Sequence, residues 1–359
     1  MAPALRPPPR GRRSLFPVAF AAAATALAAA AAARYAAAFL GTQAAPAAAR
    51  LGATRLRPAP AAAAGLVARA AESDEGAPAV AAAKARPIKI TALGGGPGSF
   101  LLEIGGQRLL VNPNLVDCEE MPPERVHELV DYVILTSAKE ALFHDDTVLR
   151  MNFQKVNFVT SGTAGEKLAQ QMPRNLAVLQ PGPDGYTSLE GEPGSADVYT
   201  FVVPGADPAL PWGTPESGFV FIDEESGVAV AYEATGRFCG EGAASSREGI
   251  PEEAYQVDYL VTPDLQSAAR VAKGLAERGA KLRAVVQLPN VGGEEDLGNP
   301  LLSPLLALDR GIDSALGGGA VSAEDFRKLL QSSGPGLADA ELLVPEVGAG
   351  AVELPSVVL

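Results

Sequence analysis

The chain has 359 residues, 47% of them hydrophobic and 20% charged, with a formal net charge of −13 at pH 7. That is globular composition, long enough for one large domain or two small ones. Residues 1–71 hold nine of the 29 basic residues and no acid, which leaves about 20 bases against 42 acids in the remainder. A body that acidic argues against a basic patch to offset phosphate charge, and no nucleic-acid partner is expected.

The acid-free leader comes first. Arg6, Arg10, Arg12 and Arg13 form a basic start, and Ser14 to Ala33 is an uncharged apolar run. Small residues then reach an Ala-x-Ala site at Ala36 and Ala38, ahead of Phe39-Leu40-Gly41. That is a signal-peptide plan over about 1–38. Residues from about 39 to 71 stay basic and rich in Ala and Pro, like a transit peptide. The two in series resemble the bipartite address of secondary plastids, so the expected location is the plastid (chloroplast), in stroma or thylakoid. One long chloroplast or mitochondrial transit peptide is the simpler alternative. The apolar run is long enough to span a bilayer, but its many alanines make it weakly hydrophobic, and no stable span is expected in the mature protein.

Residues 72–87 read as a flexible linker, and a single domain is expected over 88–359. Ile88 to Leu93 is a strand pattern, followed by Gly94-Gly95-Gly96-Pro97-Gly98. Ser99 to Ile104 and Arg108 to Asn112 are strands joined through Gly105-Gly106, a hairpin signal. Pro122 to Val130 predicts a short helix with Pro in its first turn, and Tyr132 to Thr136 a buried strand. A helix with an acidic first turn is predicted over Asp145 to Met151, a strand over Asn157 to Thr160, and a helix over Gly162 to Gln171.

The second half repeats the plan. Strands are predicted at Val198 to Val203, Ser217 to Asp223 and Val228 to Glu233, the last two joined by Glu224-Glu225-Ser226-Gly227. Tyr259 to Thr262 is a strand, Leu265 to Arg278 an amphipathic helix stopped by Gly279, and Arg283 to Leu288 a strand. A helix capped by Ser322 runs to Leu330, and Glu341 to Val344 is a terminal strand. Two β-rich halves, each ending in helices, predict two sheets packed face to face with helices outside.

The ordered series Ile90–Pro113, Asp131–Thr136, Val198–Pro204, Gly218–Ile222, Val230–Gly236, Val257–Pro263 and Ala284–Pro289 resembles the metallo-β-lactamase superfamily. The similarity is to the branch of plastid and cyanobacterial lactonase-like proteins. The resemblance covers roughly residues 88–345. It implies an α+β fold, a four-layer αββα sandwich of two pseudo-repeated halves. It also implies a His-x-His-x-Asp-His segment after the strand ending at Thr136, where imidazoles and a carboxylate hold metal ions that make a bridging hydroxide nucleophilic.

The chain has Ser137, Lys139, Ala141 and Leu142 at those four ligand positions. Further ligand positions of the family fall on Gly205, Ala234 and Pro289 (or Asn290), and the Asp of its Asp-Pro pair is Asn112. Two histidines in all, His127 and His144, are too few for a five-His binuclear centre. Lys139 puts a fixed positive charge where a cation would sit. No cofactor, and no zinc, is therefore expected.

Candidate residual cleft residues are Glu140, His144, Asp145, Asp146, Trp212, Glu233 and Asn290. His144, Asp145 and Asp146 beside Glu140 offer a hard-cation cluster, set against an ordinary acidic helix start. The glycine run 94–98 joins strand to strand and lacks the GxxxxGK[ST] of a phosphate loop, so it reads as a turn. Ser137 has no motif-placed His to activate it. Cys118 and Cys239 lie far apart without neighbouring Cys or His, and set neither a zinc site nor a disulfide framework.

The expected function is a non-catalytic superfamily relative, a pseudoenzyme that binds or scaffolds a plastid protein complex or a small-molecule ligand. The alternative is a hydrolase of the superfamily with a rewired site, which requires Lys139, Glu140, Asp145, Asp146 or Glu233 to converge. A purely structural cleft requires Lys139 paired with Glu140 or Glu233.

Overall fold

The structure is a computed structural model that describes residues 86–93, 98–116, 118–139, 142–191, 193–205, 216–233, 238, 250–289, 322–332, 336–348 and 350–355. The leader, the glycine run 94–97, and Glu140, Ala141, Trp212, Ala234, Cys239 and Asn290 lie outside them.

Strands β1 (Lys89–Ala92), β2 (Phe100–Ile104) and β3 (Gln107–Val111) form an antiparallel run, in which the Gly105-Gly106 turn joins β2 to β3. Both glycines have positive φ, +61° and +84°, which a two-residue hairpin loop requires. A 3-10 turn (Pro123–Arg125) leads into α1 (Val126–Leu129), and β4 (Tyr132–Leu135) follows. Then come α2 (Asp145–Val148), β5 (Asn157–Ser161), α3 (Gly162–Ala169) and β6 (Asn175–Leu179). Strands β3 to β6 are mutually parallel.

The second half contains β7 (Tyr186–Leu189), β8 (Val198–Pro204), β9 (Ser217–Asp223) and β10 (Ala229–Tyr232), all antiparallel. A 3-10 turn (Glu252–Tyr255) precedes β11 (Tyr259–Thr262). Next are α4 (Leu265–Glu277), β12 (Ala284–Gln287), α5 (Ala323–Ser332) and β13 (Glu341–Leu343). The last strand, β14 (Val352–Glu353), returns to pair with β1. The sheet orders are β14-β1-β2-β3-β4-β5-β6 and β13-β12-β11-β10-β9-β8-β7. Three antiparallel pairings followed by three parallel ones occur in each sheet. The halves are pseudo-repeats, as the sequence predicts.

Three clusters of buried side chains set the layers. One lies between the sheets and draws Phe100, Leu102 and Val111 from the first and Phe219, Phe221 and Tyr232 from the second. A second joins Phe201, Val220, Leu260 and Val285 to the apolar stripe of α4 (Leu265, Ala268, Ala272, Leu275) and to Phe326 of α5. The third joins Leu110, Val133 and Phe158 to Val126, Val148 and Leu168 of α1, α2 and α3. Helix, sheet, sheet, helix is the four-layer αββα sandwich.

Local chemistry explains the elements. Strands β4, β5, β11 and β12 are covered on both faces, so their residues are apolar in sequence rather than alternating. Helix α4 starts at Asp264, whose carboxylate accepts from Gln266 N–H (3.3 Å) and Ser267 N–H (2.8 Å), and it stops before Gly279 at φ +88°. The Ser322 hydroxyl accepts from Asp325 N–H (3.1 Å) at the start of α5, the predicted cap. Strands β6, β7 and β14 and the turn at Glu252–Tyr255 carry no sequence signal strong enough to place them. All three strands lie at or next to a sheet edge or end the chain, and Pro173, Pro181 and Pro183 surround β6.

The duplication extends to single hydrogen bonds. Arg108 N–H donates to the Asp131 carboxylate (2.7 Å), and Asp131 N–H donates back to Arg108 O (2.9 Å). In the second half Ala229 N–H donates to the Asp258 carboxylate (3.0 Å), and Asp258 N–H donates back to Ala229 O (3.0 Å). Each Asp thus clamps the first of the parallel pairs, β3 with β4 or β10 with β11.

Candidate functional site

Parallel strands end at a common edge, so Asn112, Thr136 and Ser161 follow or close β3, β4 and β5 side by side. Glu233, Pro263 and Leu288 do the same after β10, β11 and β12. The edges meet: Ser217 N–H, at the start of β9, donates to Thr136 O (3.3 Å). The carboxyl ends of both parallel runs therefore flank one cleft, to which β8 contributes Pro204 and Gly205.

Asn112 and Glu233 are equivalent in the two halves. Asn112 N–H donates to Ile134 O (2.9 Å), and Glu233 N–H donates to Val261 O (3.1 Å). Asn112 has φ +42°, a left-handed conformation that asparagine tolerates. Its side chain is fully buried. Nδ2 donates to Thr136 Oγ1 (2.9 Å) and to the Tyr232 hydroxyl (3.3 Å), and Oδ1 accepts from Thr136 N–H (3.0 Å). An amide serves here as both donor and acceptor, which the family's aspartate could not do when ionised.

Tyr232 reaches across to that amide from the second half. Its phenol is driven well above the ordinary tyrosine value, first by burial and then by the charges of Glu216 and Glu233, with the Asn112 bond partly opposing. Gly98, at φ +79°, lies against it: a Cβ there would stand 2.2 Å from the hydroxyl. Only glycine fits. Glu233 is 1% exposed and packs over Gly218, where a Cβ would lie 2.9 Å from its Cγ.

Lys139 ion-pairs with Glu216, the residue before β9, with side chains 28% and 15% exposed. The expected partner is Glu140 or Glu233; Glu140 lies outside the described residues, and among the described residues the ion pair is made with Glu216. Lys139 N–H donates to Ser137 Oγ (3.2 Å), and its carbonyl accepts from Leu142 N–H (2.9 Å) and Phe143 N–H (2.7 Å). That turn buries Leu142 (6% exposed) and sends Phe143 into the outer core. Ser137 is fully buried.

The acidic cluster has an ion-pair partner of its own among the described residues. Asp145 pairs with Lys167 (2.8 Å), whose ammonium also stands 4.1 Å above the Phe143 ring, and Asp146 is exposed. His144 is half-buried rather than exposed. Burial holds its imidazole below the usual histidine value despite the charge of Asp145, and its buried Nε2 has no partner among the described residues. Sequence reasoning missed Glu216, Tyr232, Thr136 and Gly98 as cleft residues. Glu216 is one acid among many in an acidic body, and only closure of the sandwich singles it out.

No protein-family model and no curated protein sequence matches the chain. Solved structures similar to it include a metallo hydrolase, Igni18, from Ignicoccus hospitalis, at 16% identity and TM-score 0.46 over 76% of this chain and 100% of that one. The metallo-β-lactamase fold protein YhfI from Bacillus subtilis is similar at 13% and 0.42, over 75% and 100%. Unliganded yeast PDE1 is similar at 11% and 0.45, over 75% and 99%. The sheet order and layers of this chain are those of a metallo-β-lactamase-type αββα sandwich.

Metallo-β-lactamase folds imply metal ions at this edge, and the residues present do not fit them. A Cβ at Gly205 would stand 2.4 Å from Glu216 O, so an imidazole there requires the Glu216 backbone to move. Leu142, Pro289, Ala141 and Ala234 bring no donor atom. The Lys139 ammonium, already held by a carboxylate, repels a divalent ion. Among the described residues, no group of three or more His, Cys, Asp and Glu side chains is placed to hold a metal, and no helix is long and apolar enough to cross a membrane.

Proposed function

We propose that this chain is a non-catalytic protein of the metallo-β-lactamase fold, a pseudoenzyme whose cleft is a structural joint and which binds a protein complex or a small-molecule ligand in the plastid. The carrying observation is the Lys139–Glu216 ion pair, which puts a tethered cation at a position the family gives to a metal ligand. Serine, leucine, glycine and proline at Ser137, Leu142, Gly205 and Pro289 agree with it. The acid-free leader supports import into the plastid, and N-terminal sequencing of the mature protein tests that part. The hydrolase assay uses lactone, thioester and phosphodiester substrates with zinc, manganese or iron(II) added. Turnover at the no-enzyme rate is expected. Saturable, metal-dependent turnover overturns the reading.

A second reading, a hydrolase with a rewired site, draws on the convergence of Lys139, Glu216, Glu233 and Tyr232. A tyrosine pushed so far up is a poor proton donor or acceptor near neutral pH. Metal-independent turnover lost in Lys139→Ala would favour this reading.

A further inference from the structure

We infer that the Lys139 ammonium is the cleft's own built-in cation, which draws the second half of the sandwich onto the first as a bound metal ion would. The inference rests on the non-catalytic reading and gives the altered cleft a task.

The polar contacts described between the two strand edges are unequal. Ser217 N–H to Thr136 O and Asn112 Nδ2 to the Tyr232 hydroxyl are both 3.3 Å, beyond the usual range for such bonds. The Lys139–Glu216 pair is a close, charged contact between residues 77 positions apart, and less than a third of either side chain is exposed. Charge-assisted bonds are roughly twice as strong as neutral ones, and partial burial reduces screening. The pair is therefore the strongest of these cross-half contacts.

Among the described residues, the charges are also sorted by half. Lys139 comes from the end of β4, whereas Glu216 and Glu233 come from the second half and both act on the Tyr232 hydroxyl. A cation beside one of them offsets that negative charge, and Lys139 is the cation beside Glu216. A metal-built cleft supplies that cation from solution and can lose it. A lysine cannot dissociate.

One consequence separates this from an ordinary surface ion pair. With the lysine truncated, Glu216 loses its tethered counter-charge, and a hard divalent cation with oxygen preference can take over. The test is calorimetry on the full chain as wild type, Lys139→Ala, Glu216→Gln and the double variant, each with and without Mg²⁺. Lys139→Ala is expected to lower the midpoint by about 5 °C, and the double variant to fall no further than Lys139→Ala alone. Mg²⁺ is expected to restore part of the loss in Lys139→Ala and to leave the wild type and the double variant unmoved.

Additive losses, or a Lys139→Ala midpoint that ignores Mg²⁺, overturn the inference. Lys139→Arg keeps the charge and is expected to stay near wild type. A fall as large as that of Lys139→Ala shows that packing, not charge, is at work, and also overturns it. Failure of the non-catalytic reading would show instead as metal or turnover in the wild type.

Discussion

The two halves of the sandwich repeat in their frame and diverge at their cleft. Asp131 and Asp258 make the same reciprocal clamp, on Arg108 and on Ala229. At the next equivalent position the first half has an amide, Asn112, and the second a buried carboxylate, Glu233. The frame depends on backbone groups, which any suitable sequence supplies. The cleft depends on side-chain charge, and there, among the described residues, the halves are complementary rather than alike: the first contributes the cation Lys139 and the second the anion Glu216.

The inner core offers the largest test of that comparison. Leu102 pairs with Leu109 as Phe221 pairs with Val230, so the two positions are equivalent, and both are fully buried. Leu102→Ala and Phe221→Ala are each expected to cost about 3–5 kcal/mol in chemical denaturation, in a single shared transition. Two separate transitions would mean that the halves fold as independent units.

The clamps come next. Asp258 also accepts from Arg283 Nε (3.0 Å), whereas Asp131 has no such ion pair among the described residues. Asp258→Ala is expected to cost about 2 kcal/mol and Asp131→Ala about 1 kcal/mol by the same measurement. The reverse order would break the account of the duplicated frame.

The smallest effects are in the pH dependence. Tyr232 is raised by burial, so above pH 10, the ordinary tyrosine value, the unfolded chain loses a proton that the fold retains. Stability is then full below pH 10 and falls progressively above it, and Tyr232→Phe should flatten that fall. His144 is depressed by burial, so its contribution is full above pH 6.5 and is lost as pH drops below it. His144→Gln should remove that part of the acid slope. Denaturation midpoints across both windows, wild type against variant, measure each.

Much of the frame was legible in the sequence because local chemistry marks it. Gly105-Gly106 demands its turn, Asp264 and Ser322 announce their helices, and Asp-Tyr opens β4 and β11 alike. Leu142 and Gly205, positions that the resemblance gives to metal ligands, carry no side-chain donor atom, which the sequence alone states. The partner of Lys139 was not legible. Glu216 meets it only because β9 starts beside the end of β4, a contact set by sheet closure. Tyr232 was hidden for a related reason: nothing local in its strand says that its buried hydroxyl reaches Asn112 of the other half.

The most direct test of the central claim is elemental analysis of the full chain, purified without a metal-binding tag and dialysed against zinc, manganese or iron(II). A cleft already occupied by the Lys139 ammonium is expected to hold far less than one metal ion per chain. Stoichiometric metal that survives dialysis, and that is lost when Glu216 and Glu233 are changed to glutamine, would contradict it.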